Sequence, residues 1–211
     1  MSFFYYFANA VMRFLLLTLS RWKVIGRENV PRRGPLIVVA NHLNLADPPL
    51  LGASIPRRIY FMAKEELFSS RFVRAYGAFP VRRGAPDRRA ILTALRLLEE
   101  GKAVGMFPEG RRSPTGKLQK AHPGTALIAL RSGAPILPVA ITGTEKITGP
   151  KAVIFGHPEI TVRVGEPFYL PSYEGRPTAA RLEELSDYIM LRIAALLPPE
   201  YRGIYGDKAN E

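Results

Sequence analysis

Apolar positions recur along this chain in distinguishable rhythms, and each predicts a kind of element. Unbroken runs come first: LIVVAN (36–41), AVGMFPEG (103–110) and PILPVAI (135–141) lack polar alternation, as strands buried on both faces do. RIYFMAK (58–64) and AFPVRR (78–83) are further strand candidates, and EITVRVGEPF (159–168) alternates like a strand with one exposed face. Helical spacing appears in PDRRAILTALRLLEEG (86–101), with Pro86 near its start and Gly101 as its stop. It returns in PGTALIALRSG (123–133), closed by Gly133, and in the long amphipathic RPTAARLEELSDYIMLRIAALL (176–197). Strands alternating with helices predict an α/β fold, a single domain with a largely parallel central sheet flanked by helices. In such sheets ligands bind beyond the carboxyl ends of the strands. His42 and Glu109 both fall just past such ends.

The first 22 residues, MSFFYYFANAVMRFLLLTLSRW, break the pattern: they are aromatic and aliphatic, interrupted by Asn9 and Arg13. A spanning helix needs about 20 apolar residues, and an arginine near its middle costs a few kcal/mol. A secretory signal carries its charge first and ends in small residues, which this segment does not. The composition fits an amphipathic helix in a membrane interface, with Arg13, Arg21 and Lys23 facing anionic lipid. The competing reading is a helix packed on the domain's own core. The membrane reading is preferred on the aromatic and cationic composition. It divides the chain into a membrane-associating helix (1–22) and a folded domain (23–211).

Composition narrows the partners. With 211 residues, 47% of them hydrophobic, the chain can bury one substantial core without a linker or repeat. It has no cysteine, which removes disulfides, thiolate nucleophiles and cysteine-based zinc sites. A net charge of +12 asks for an anionic partner. The basic residues come as separated pairs, among them Arg57–Arg58, Arg82–Arg83, Arg88–Arg89 and Arg111–Arg112, not as one dense tract. Arg57–Arg58 and Arg88–Arg89 read as solvated surface charge. Aromatics do not interleave with the pairs as a stacking platform for nucleic acid requires, so nucleic acid is not the expected partner.

Three stretches carry candidate chemistry. In NHLNLAD (41–47), an imidazole can take a proton from an alcohol when a carboxylate fixes its tautomer and stabilises the cation. Asp47 can do this for His42 across a tight turn. Equally, Asp47 before Pro48 reads as a helix N-cap followed by proline at the first helical position, with His42 a plain strand-end residue. With no G-x-S-x-G elbow and no cysteine, a covalent acyl-enzyme is disfavoured, so His42 would act on a substrate's own hydroxyl. In FPEGRRSPTGKLQK (107–120), backbone N–H groups of a Gly/Pro/Ser loop and the guanidinium groups of Arg111 and Arg112 suit an anion, with Glu109 beside them. The competing reading is a charged surface loop. GAFPVRRG (77–84) offers Arg82 and Arg83 after an apolar stretch.

Together these stretches resemble the glycerolipid acyltransferases, the family that includes 1-acylglycerol-3-phosphate acyltransferase. NHLNLAD is similar to the family's N-H-x4-D block, GAFPVRR to its second, FPEGRRS to F-P-E-G-T-R-S, and PILPVAI to its fourth, proline-containing block. The blocks occur in the family's order across roughly residues 20–170. The resemblance implies transfer of a fatty acyl group from acyl-CoA or acyl carrier protein to the free hydroxyl of a lysophospholipid, lysophosphatidic acid first, at the cytoplasmic face of an anionic membrane. It implies no metal and no cofactor beyond the acyl donor. His42 is then the general base and Asp47 its orienting partner; Arg82, Glu109, Gly110, Arg111 and Arg112 bind the acceptor, and Pro138 shapes the acyl or thioester side. Arg111 stands where the family has threonine, which opens the acceptor's identity to another lysolipid, a glycolipid or a lipid amine. A non-catalytic membrane-binding module is the alternative outside enzymology. His122 and His157 match no block and read as structural.

Overall fold

The computed structural model describes residues 2–82, 87–171, 173 and 175–206. Among the described residues, seven strands form one sheet: β1 (Arg21–Ile25), β2 (Leu36–Ala40), β3 (Ile59–Lys64), β4 (Phe79–Val81), β5 (Ala103–Met106), β6 (Ile136–Thr142) and β7 (Glu159–Val164). Their order is β1-β7-β6-β2-β5-β3-β4. Strands β2 to β6 run parallel to one another; β7 is antiparallel to β6, and β1 is parallel to β7. The helices are α1 (Ser2–Leu19), α2 (Asp47–Ser54), α3 (Arg71–Tyr76), α4 (Arg88–Glu99), α5 (Gly124–Ser132), α6 (Pro150–Gly156) and α7 (Ala179–Ala194).

Alternation along the strands divides the core into two layers. Ile37, Val39, Val104, Ile136 and Ala140 face α4, α5 and α7, which bring Ala94, Leu98, Ile128, Ile189 and Ile193. Leu36, Val38, Ala40, Leu137 and Ile141 face the other way, onto Leu16 of α1 and Leu50 and Leu51 of α2. β2 is buried at every position because both faces are covered, the case its unbroken apolar run described. Local chemistry sets the helix limits. The Asp87 side chain accepts from the N–H groups of Arg89 and Ala90 to start α4, Thr178 accepts from Arg181 N to start α7, and Gly133 ends α5. Pro86, expected near the start of α4, and Arg83 of the second block lie outside the described residues.

Several expectations need correction. Arg57 is not solvated charge: its guanidinium donates to the carbonyls of Pro31 (2.9 Å), Gly34 (2.6 Å) and Gly101 (3.2 Å), tying three turns together beneath the sheet. Its neighbour Arg58 lies over the rings of Tyr60 and Tyr5. Arg88 and Arg89 are exposed, as read. The 1–22 segment is a helix only to Leu19; Arg21 and Trp22 already belong to β1, which periodicity missed. Nor do its cations all face outward. Arg13 Nε donates to Ala53 O at 2.7 Å, whereas Arg21 and Lys23 of β1 are exposed, Lys23 beside Glu159 at 3.3 Å. One face of α1 is packed on the domain through Tyr5, Asn9 and Leu16, while Phe3, Phe7, Phe14 and Leu17 on another are exposed. The packed face is what the competing reading, a helix on the domain's own core, described. No described helix is long and apolar enough to cross a membrane.

Candidate active site

The site stands on the carboxyl ends of β2 and β5. Val39 of β2 is level with Met106 of β5, so Asn41 to Asp47 and Phe107 to Ser113 leave the sheet side by side. Asn41 fixes the first exit: its amide donates to Ile141 O and accepts from Ile141 N, both at 2.8 Å, continuing the sheet by side chain where the backbone turns away. The chain then closes on itself through Asp47. One carboxylate oxygen, Oδ2, accepts from Leu43 N (2.7 Å), Asn44 N (2.7 Å) and His42 Nδ1 (2.8 Å).

Asp47 is thus not the N-cap expected from the Asp-Pro sequence. Ala46 occupies that place, Asp47 is the first helical residue of α2, and its side chain points back into the loop. An oxygen already accepting two backbone N–H groups can only accept from the imidazole too. That puts the ring proton on Nδ1 and leaves Nε2 with its lone pair. Asp47 is fully buried, whereas His42 keeps 8% exposure, so the imidazole is the part of the pair a substrate can reach. The His42 ring stacks on Phe107 at 4.2 Å between centroids, and Phe107 stacks in turn on Phe61 at 6.4 Å. Gly105 permits the close approach of Phe61, since a Cβ there would meet that ring at 2.5 Å.

Glu109 joins the two loops. Its Oε1 accepts from His42 N and its Oε2 from Gln119 N, each at 3.1 Å. Burial raises its pKa to about 7; the two backbone N–H groups pull in the opposite direction without cancelling the desolvation. The loops are further tied by Ser113 N donating to His42 O at 2.7 Å. Gly110 has φ +67°, and a Cβ there would lie 2.7 Å from the His122 ring, so this turn needs glycine twice over. Seated on Gly110, with its N–H on Pro108 O, His122 has a structural part, and His157 ends α6 in a left-handed turn.

The other expected residues are placed unequally. Arg111 is exposed and held by Gln119 (Nε to Oε1, 3.0 Å), and Arg112 is exposed beside it. Arg82 follows β4 on the same rim, with Nε on Glu65 Oε2 at 2.7 Å. β4 is three strands from β2, however, which puts it about 14 Å away at the usual strand spacing. Pro138 does not join the site. It is level with Val39, three residues before His42, and faces the other core layer with Ile136 and Ala140. Its missing N–H falls where β6 and β7 part: Gly165 N donates to Pro138 O, Phe168 pairs with Ile136, and one extra residue is accommodated between. Sequence reading missed the roles of Asn41, Gln119 and the Phe107 ring. For Asn41 the signal was available, as a polar residue ending an apolar run. Among the described residues, no group of three or more His, Asp and Glu converges to hold a metal ion.

Comparison with known proteins finds relatives of this chain. The chain is 30% identical over 197 residues to a 1-acyl-sn-glycerol-3-phosphate acyltransferase of Bacillus subtilis, covering 91% of this chain and 96% of that protein. A lyso-ornithine lipid O-acyltransferase of Pseudomonas aeruginosa is 34% identical over 115 residues, 52% of this chain and 44% of the relative. Among solved structures, the 1-acyl-sn-glycerophosphate (LPA) acyltransferase PlsC from Thermotoga maritima superposes with a TM-score of 0.67 at 28% identity, over 89% of this chain and 75% of that one. The acyltransferase family model matches residues 21–142, from β1 to the end of β6 and across both site loops, and the chain belongs to that family.

Proposed function

We propose that this protein transfers a fatty acyl group from a thioester, on coenzyme A or acyl carrier protein, to the free sn-2 hydroxyl of 1-acylglycerol 3-phosphate. The observation that carries the reading is the His42–Asp47 pair: a buried carboxylate on Nδ1, and Nε2 free at the strand-end rim where ligands bind. Its relatives from Bacillus subtilis and Thermotoga maritima, named for this acceptor, support the choice of substrate.

In the proposed step, His42 Nε2 takes the acceptor's hydroxyl proton as that oxygen attacks the thioester carbonyl carbon. The tetrahedral adduct collapses with cleavage of the C–S bond, and the leaving thiolate takes the proton back from the imidazolium. Asp47 stabilises that cation while it exists and keeps the ring proton on Nδ1. Phe107 fixes the plane of the ring from one side. Glu109 holds the backbone of His42 against the second loop and so positions the base. Arg112 and Arg111 offer donors to the phosphate beside the dyad. Arg82, tied to Glu65 farther along the rim, adds positive charge to the approach. Pro138 acts at one remove, by shaping the strand ends beneath.

The donor and acceptor both belong to membranes or carry acyl chains, and the exposed face of α1 suits that setting. Phe3 is 81% exposed and stacks on Phe7, while Phe72 of α3, 72% exposed, lies against Phe4. In this reading the aromatic face rests in the interface of a membrane at its cytoplasmic side. The test is acyl transfer from palmitoyl-coenzyme A, and from palmitoyl-acyl carrier protein, to a panel of lysolipids, wild type beside His42→Ala. Activity on 1-acylglycerol 3-phosphate that the substitution abolishes is the expected result; activity retained by His42→Ala rejects the base.

A second acceptor is favoured by one specific contact. Arg111, anchored on Gln119, places a cation where the family block has threonine, and the Pseudomonas aeruginosa relative is named for a different acceptor, lyso-ornithine lipid. On this reading the chemistry is unchanged and the headgroup differs, which the same lysolipid panel decides.

A further inference from the structure

At the opposite end of the sheet from His42, where β3 and β5 begin, lies an open cavity of about 360 Å³. Its walls include Tyr6, Arg32, Arg57, Arg58, Tyr60 and Lys102. Ala103, also in its lining, is level with Leu36 of β2, six residues before His42. At about 3.3 Å per residue, roughly 20 Å of strand separates this cavity from the dyad.

Its four cations are not equivalent. Arg57 is committed to backbone carbonyls, and Lys102 pairs with Glu100. Among the described residues no carboxylate pairs with Arg58 or Arg32. Arg58 Cζ lies 4.7 Å from the Tyr60 centroid and 5.6 Å from that of Tyr5, and its Nε is buried without a hydrogen-bond partner. The Lys102 ammonium lies over the same Tyr60 ring at 5.4 Å. Two cations therefore converge on one ring, and one of them keeps an unspent, desolvated donor. Glu100 offsets the Lys102 charge from one side, whereas Arg58 has no carboxylate partner, so an anion entering the cavity gains most from Arg58. A guanidinium fixed by aromatic rings offers the planar fork that phosphate oxygens accept from.

We propose that this cavity binds a phosphate group, held by Arg58 and Lys102 with Arg32 at the rim, at a site separate from the catalytic one. Tyr6 belongs to α1, whose exposed Phe3 and Phe7 are near in sequence, so a phospholipid headgroup and a free phosphate ion both have a route in. The proposal does not depend on the acyl-transfer reading, and it is tested by binding rather than turnover.

The probes are inorganic phosphate, followed by calorimetry, and phosphatidylcholine vesicles with and without phosphatidylglycerol, followed by sedimentation. The variants are Arg58→Gln, the double variant Arg32→Gln with Lys102→Gln, and Arg112→Gln as the marker for the catalytic rim. Loss of one or two charge-assisted hydrogen bonds should weaken binding at this site about tenfold in the first two variants, whereas Arg112→Gln should remove only the separate component that belongs to the catalytic rim and leave this one unchanged. Weakening seen with free phosphate identifies a soluble ligand, and weakening confined to the phosphatidylglycerol-dependent part of vesicle binding identifies a headgroup; either supports the site. The double variant changes only the two lysine and arginine side chains at the cavity mouth and carries the test if Arg58→Gln fails to fold. Saturable binding that is lost only in Arg112→Gln, or no saturable binding of either probe, overturns the proposal.

Discussion

Asp47 reaches His42 with the same oxygen, Oδ2, that accepts the backbone N–H groups of Leu43 and Asn44, so one carboxylate both folds the loop and fixes the imidazole. These two duties separate under substitution. In Asp47→Asn, an amide oxygen can keep the backbone contacts but no longer carries the charge that stabilises the imidazolium. We expect kcat to fall by about 10³–10⁴ while stability changes by less than about 1 kcal/mol. Asp47→Ala strands two N–H groups as well and should cost about 2–4 kcal/mol in urea unfolding. Equal stability losses in both variants would show that the charge, not the backbone contacts, holds the loop.

Glu109 gives the site a pH dependence whose sign follows from burial. Its pKa stands at about 7 in the folded chain, against 4.5 for an ordinary glutamate. Below about 4.5 it is protonated in both folded and unfolded states. Between 4.5 and 7 the unfolded chain releases the proton and the folded chain keeps it, so this group's stabilising contribution is lost as pH rises through that window. Urea midpoints of wild type and Glu109→Gln across pH 4 to 8 measure the effect. The difference between them should shift against wild type as pH rises and level off above about 7. A flat difference would mean that the carboxyl ionises normally.

How much of this was legible beforehand follows from which forces act locally. β2, β5 and β6 were readable because a strand buried on both faces must be apolar throughout, and α4 and α7 because their apolar stripes and stops lie within one segment. β1 was not: the alternation in RWKVI is too short to stand out beside the apolar segment before it, and it becomes a strand by pairing with β7, more than 130 residues later. His42, Asp47 and Glu109 were legible as residue types past strand ends, but their bonding was not. Asp-Pro is a cap signal in sequence, and only the turn back toward Leu43 and Asn44 shows that the carboxylate has other partners. Pro138 shows a different limit. Its place in a motif suggested the substrate, whereas its ring lies in the core and its missing N–H suits the parting of β6 from β7.

The stacked pair His42–Phe107 separates orientation from binding. Phe107→Leu keeps an apolar wall and removes the flat surface against which the imidazole lies. Such a ring contact is worth about 1 kcal/mol, so kcat should fall roughly fivefold. KM for the acceptor should stay within about twofold, because no acceptor contact is lost. A raised KM with unchanged kcat would move Phe107 from the base to the binding surface.

Arg111 and Gln119 test acceptor choice. Freed from Gln119 in Gln119→Ala, Arg111 keeps its charge but loses its anchor; in Arg111→Thr the charge goes too. If Arg111 contacts the phosphate, both variants should raise KM for 1-acylglycerol 3-phosphate, by about threefold and about tenfold respectively, with kcat preserved. Improved activity of Arg111→Thr on that acceptor would instead mark the arginine as fitted to a different headgroup.

Asn41 offers the sharpest separation of scaffold from chemistry. Its amide satisfies both backbone groups of Ile141, which is fully buried, and no solvent can replace it there. Asn41→Ala leaves a donor and an acceptor unpaired and should cost about 2–4 kcal/mol, near the top of what a single hydrogen-bonding side chain contributes. Asn41→Asp keeps the acceptor for Ile141 N but sets a carboxylate against Ile141 O, so it should be no better than alanine at neutral pH and recover as the carboxyl is protonated in acid. Since His42 is the next residue, any movement of this anchor tilts the strand end that carries the base. The loss in kcat should therefore appear in both variants even at temperatures where each is fully folded, and a variant with full activity despite the stability loss would show that β2 holds His42 without this bridge.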